Sequence, residues 1–87
     1  MEQTKVLNDL SQLKPGESAI IQGFDEDRVP LKILEMGLLP GNKVLVKRIS
    51  PLGDPMHIRV VGFDLALRLE EAAFVKVGPV QQEGAGS

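Results

Sequence analysis

The chain has 87 residues, ten basic and twelve acidic side chains, three phenylalanines as its only aromatics, and no cysteine. That length allows one domain, which buries roughly 60% of its unfolded surface. The formal charge of −2 is spread without a basic stripe and the aromatics stand apart, which argues against nucleic-acid binding; the lack of cysteine excludes disulfides, thiolate nucleophiles and thiolate metal sites.

Met1 to Val6 shows no positively charged region leading into an apolar run, and no stretch approaches the length of a membrane span, so a cytoplasmic protein is expected. Leu7, Leu10 and Leu13 recur at helical spacing, predicting a short helical turn that ends before Pro15. Lys14-Pro15-Gly16-Glu17 is a turn, because proline presets its first central dihedral and glycine accepts the positive one after it. Ser18 to Phe24 is an apolar run of strand length. Asp25, Glu26 and Asp27 follow, placed where a helix N-terminus favours negative charge, and helix capping explains them more simply than cation binding.

On a helical wheel of about 100° per residue, Val29, Ile33 and Met36 form one stripe, while Pro30, Leu34 and Leu31 continue round from it. Arg28, Lys32 and Glu35 hold the polar side. The apolar arc spans roughly 220°, about twice that of an ordinary surface helix, so one face can pack on the core and another is left over. The candidate partner-binding face is therefore Pro30, Leu31 and Leu34, with Met36 and Leu38 beside it. Core burial is the simpler reading for Val29, Ile33 and Met36. Gly37 is placed to end the helix in the left-handed conformation, with Leu38 folding back onto it.

Leu39-Pro40-Gly41-Asn42 repeats the Pro-Gly turn ahead of a strand from Lys43 to Ser50, in which Val44 and Val46 point one way and Leu45, Lys47 and Ile49 the other. Pro51 to Pro55 forms an extended connection to a strand over His57 to Val61. Leu52, Gly53 and Asp54, exposed in that connection, make a possible second partner loop. Phe63, Leu65, Leu67 and Leu69 alternate with polar or small residues, the period of a strand. Glu70 to Ala73 is a helical turn, and Phe74 to Val77 a last strand. The domain is expected to span residues 1–78, with 79–87 a disordered Gln-, Gly- and Ser-rich tail. The sum is a mainly β fold, a small antiparallel barrel of about five strands with one inserted helix, closing on itself so that no sheet edge is left open.

Chemistry is sparse in this pattern. His57, with Asp54 three residues before it, offers two candidate ligands where a closed metal site needs more, so no metal site is assigned. Neither a Ser-His-acid set nor a cleft of carboxylates is present, and no cofactor is implied. Gly37 to Lys43 lacks the hydroxyl residue and following helix of a phosphate-binding loop. An enzyme is not expected.

Four motifs in order, Leu10-x-x-Leu13-Lys14-Pro15-Gly16-Glu17, Met36-Gly37-Leu38-x-Pro40-Gly41, Pro51-Leu52-Gly53-Asp54-Pro55, and Leu65-Ala66-Leu67-Arg68 with Glu70-Glu71-Ala72, resemble the FeoA family over Leu10 to Val77. The resemblance implies an SH3-like barrel and a non-enzymatic cytoplasmic accessory of ferrous iron uptake. It would bind the FeoB transporter and modulate it. The same fold occurs as the C-terminal domain of DtxR-type repressors, which makes a metal-responsive regulatory domain the alternative. A surplus apolar face also allows weak pairing of the chain with its own copy.

Overall fold

A computed structural model describes residues 8–25 and 30–82. Seven antiparallel strands carry the fold: β1 (Asn8–Asp9), β2 (Glu17–Phe24), β3 (Lys43–Ile49), β4 (Met56–Val60), β5 (Phe63–Leu67), β6 (Val75–Val77) and β7 (Gln81–Gln82). Between them lie a 3-10 turn at Leu10–Gln12, helix α1 (Leu31–Glu35) and helix α2 (Leu69–Ala72). The predicted mainly β architecture with one helix inserted after the first long strand is what forms.

Both Pro-Gly turns take the geometry their residues dictate. Gly16 and Gly41 adopt positive φ of 88° and 96°, and the amides of Glu17 and Asn42 bond back to the carbonyls of Lys14 and Leu39 at 3.0 Å each. That is the type II turn, which demands a residue tolerant of positive φ after the proline. The 3-10 turn is capped by Asp9, whose carboxylate accepts from the Ser11 amide, while the Gln12 side chain accepts from the Asp9 amide.

The sheet order is β1-β6-β2-β3-β4-β5, with β7 also paired to β2. Strand β2 serves three neighbours: Ser18 to Ile20 pair with β3, Ile21 to Phe24 with β6 across an irregularity in register, and Glu17 and Ser18 with β7. The expected closure does not occur. Strand β5 hydrogen-bonds only to β4 among the described residues, so the path ends open there. The tail boundary also shifts, because Gln81 and Gln82 extend the sheet alongside Ser18 and Glu17 instead of beginning a disordered tail at 79. Residues 83–87 lie outside the described residues.

The core gathers Leu10, Ile21, Ile33, Leu38, Val44, Val46, Ile58, Leu67 and Val75, all inaccessible to solvent or nearly so. One strand departs from simple alternation. In β3, Val46 pairs with Ile58 but Arg48 with His57, so Lys47 is an extra residue in a bulge. The inserted residue reverses the facing of all that follows it. Ile49, expected on the side of Leu45, therefore pairs with buried Met56 and packs against the core, while Lys47 and Arg48 both stay exposed.

Candidate functional site

Helix α1 is five residues long, starts after Pro30 and has no side-chain cap. The acids predicted to cap it do other work or fall outside view: Asp25 pairs with Lys76 at 3.5 Å, and Glu26, Asp27, Arg28 and Val29 lie outside the described residues. The helix ends as its glycine requires. Gly37 sits at φ 91°; its amide bonds to the Leu34 carbonyl at 3.0 Å, and the Leu38 amide reaches back to the Ile33 carbonyl at 3.3 Å. This double closure satisfies carbonyls that the helix end would otherwise leave open. Asn42 Nδ2 donates to the Gly37 carbonyl at 2.8 Å and locks the turn to β3.

The surplus apolar arc resolves into three fates. Ile33 is wholly buried, whereas Pro30, Leu34 and Met36 are half-buried and Leu31 is 65% exposed. Leu38, placed on the candidate surface by its sequence, is 0% exposed and leaves it. The chain reversal at Gly37 that folds Leu38 back carries it past the helix into the core.

The sequence reading missed the second half of this surface. Strands β4 and β5 meet in a two-residue turn, Val61-Gly62, whose φ values are 52° and 82°. Two positive values in succession define the tight hairpin turn that favours Asn, Asp or Gly at both positions. A β-branched valine there is strained by roughly 1–2 kcal/mol. Its side chain reaches the end of α1, where a Cβ placed on Gly37 would lie 3.3 Å from Val61 Cγ2. Val61 is 58% exposed and Phe63, which faces the core side of the sheet beside Val60, is 67% exposed because no strand closes over β5. The end of the helix and the hairpin tip thus meet at Gly37 and Val61. The valine in a left-handed turn was the available signal, and it required the turn to be placed at 61–62 instead of inside the strand.

The possible second loop lies elsewhere. Leu52 is 96% exposed, but its loop joins β3 to β4 at the end of their ladder opposite Val61, roughly 17 Å away along five residue steps of about 3.3 Å. Asp54 accepts a hydrogen bond from the Leu69 amide at 3.0 Å, capping α2 from fifteen residues earlier in the chain. It is not joined to His57 of β4, whose Nε2 lies 3.4 Å from the Oγ of Ser50, just past the end of β3. Among the described residues no three His, Asp or Glu side chains gather as a metal site. Helix α2 is tied back to α1 by Lys32 and Glu71, 2.7 Å apart. The hydrogen bond from Lys32 and that from the Arg68 amide hold the Glu71 carboxyl below its ordinary value, against the opposing effect of burial.

A model of the FeoA domain matches residues 8–79. The chain belongs to the FeoA family. Among curated relatives, an Fe(2+) transport protein A/Fe(2+) transporter FeoB fusion protein of Porphyromonas gingivalis is 34% identical over 79 residues, covering 90% of this chain and 9% of that one. The FeoA domain here thus spans under a tenth of the length of that relative. The solution structure of FeoA from Chlorobium tepidum shares 35% identity and a TM-score of 0.72, over 82% of this chain and 69% of that one. The zinc complex of Stenotrophomonas maltophilia FeoA, described as a prokaryotic SH3 domain protein, shares 24% identity and a TM-score of 0.76 over 88% and 99% of the two chains. At that identity the likeness establishes the fold, an SH3-like domain. The family is associated with ferrous iron transport, and no helix among the described residues is long and apolar enough to cross a membrane.

Proposed function

We propose that this FeoA domain is a non-enzymatic cytoplasmic accessory of ferrous iron uptake, binding the cytoplasmic part of a FeoB-type transporter and modulating its activity. The observation that carries the reading is the fused relative. Two modules joined in one chain are held at high effective concentration, an arrangement that serves modules which work against one another. The surface that suits such a partner is the apolar end formed by Leu31, with Leu34 and Met36 beside it, and by Val61 and Phe63. Three of these residues are large, apolar and mostly exposed, and Lys32 and Glu35 rim the helix side. Apolar side chains with a charged rim are the anatomy of a protein interface.

The test is chemical-shift mapping of the labelled chain against the FeoB cytoplasmic domain, with and without guanine nucleotide, repeated on Leu31→Asp and Phe63→Ser variants. Shifts centred on α1 and the Val61-Gly62 turn, lost in both folded variants, are expected. Binding that survives both substitutions would remove this surface, and no binding in any nucleotide state would remove the function.

A further inference from the structure

The face of the sheet opposite the core holds a second feature, independent of the apolar end. A groove of about 350 Å³ crosses the outer side of β3, β4 and β5, lined by Lys47, Arg48, His57, Asp64 and Ala66 among others. Its cations arrive there by the β3 bulge, which turns two consecutive basic residues outward together. Its one carboxylate is already engaged: Arg59 donates to both oxygens of Asp64, at 2.7 and 3.1 Å. Lys47 and Arg48 form no ion pair within 4 Å among the described residues, and although Lys47 joins Arg59 in holding the Asp64 carboxyl below its ordinary value, three cations on this face meet that one carboxylate in a chain of net charge −2.

The register makes the arrangement directional. Arg48 sits opposite His57, and His57 opposite Ala66, in one row running across the sheet to the β5 edge. Because the hairpin loop is two residues long, Val60 and Phe63 form its closing hydrogen-bonded pair. The amides and carbonyls of Asp64 and Ala66 consequently face away from β4. Among the described residues no hydrogen bond to any other element engages them. Edge strands are normally guarded by charged side chains, proline or a bulge; in Phe-Asp-Leu-Ala-Leu only Asp64 is charged, and Arg59 already holds it.

We propose that the β5 edge accepts an extended segment of a partner protein in which a glutamate is flanked by apolar residues. A strand added about 4.8 Å from β5 would place the glutamate beside Ala66, whose methyl leaves the path to His57 and Arg48 open. The flanking apolar side chains fall on the other face, beside half-buried Leu65 and buried Leu67. A second copy of this chain is the poorer occupant, because the acid its own β5 would offer, Asp64, is already held by Arg59.

The experiment titrates the 15N-labelled full chain with the capped pentapeptide Thr-Val-Glu-Val-Thr and with its Gln counterpart. Saturable shifts and slowed exchange at the Asp64 and Ala66 amides are expected. Binding should weaken roughly tenfold for the Gln peptide and for the exposed-site variants Arg48→Glu and Lys47→Glu, the factor a lost charge-assisted contact carries. Four results would overturn the proposal: no saturation at millimolar peptide; equal binding of both peptides; the same shifts at Lys47, Arg48 and His57 from inorganic phosphate without protection of the β5 amides; or protection that follows protein concentration without peptide, the sign of self-pairing.

Discussion

At the scale of single residues, the apolar end turns on Gly37 and Val61, which meet across the α1 terminus. Gly37 must be glycine twice over, since its φ of 91° strains any other residue and a Cβ would crowd Val61. Val61 is the reverse case, a residue the backbone disfavours and the solvent does not welcome. Such strain persists where a side chain serves something beyond folding. Val61→Asn, which suits the left-handed turn, is expected to leave stability unchanged or raise it by up to about 1 kcal/mol in urea denaturation, while weakening capture of the FeoB-type partner. A loss of stability larger than that would mean that valine's packing on Gly37 outweighs its strain.

At the scale of elements, a five-residue helix cannot stand on its own hydrogen bonds, so α1 depends on what anchors it. Ile33 in the core, the closure at Gly37 and the Lys32–Glu71 pair provide that anchorage. The pair has a pH signature. Because the folded-state pKa of Glu71 lies below its ordinary value of 4.5, its contribution is complete above that value and disappears as pH falls through the lower one. Lys32→Met should therefore lower stability at neutral pH by less than about 1 kcal/mol, and the difference from the unsubstituted chain should shrink in acid. Parallel urea titrations at neutral and acid pH measure it; a difference that persists in acid would assign the effect to the lysine's packing instead.

At the scale of the whole molecule, the open sheet is the feature that matters. A closed barrel would have buried Phe63 and satisfied the β5 edge; the open path leaves the core side of β5 exposed at one end and the outward backbone groups of Asp64 and Ala66 without a partner among the described residues. The same openness separates residues that their sequence treats alike. Leu31→Asp should change stability by no more than about 0.5 kcal/mol, whereas Leu38→Asp buries a charge in the core and should leave the chain largely unfolded at room temperature. Circular dichroism melts of the two variants side by side check this directly.

Local chemistry was legible from the chain alone wherever one residue type answers one backbone demand. Proline followed by glycine made the turns at 14–17 and 39–42, Gly37 ended the helix, and alternation from Phe63 to Leu67 made a strand, as did the four motifs that place the chain in its family. What no periodicity contains is whether a neighbour arrives to cover a face. Leu38 and Phe63 are equally apolar and equally well patterned, yet one is sealed by the returning chain and the other left open by a sheet that stops at β5. The bulge at Lys47 is of the same kind, because its extra residue is defined only by the strand it fails to pair with. Sequence determined where the turns, the helix end and the strands would form, and the tertiary structure decided, through bulges and returning chain, which side chains would be covered and which left open.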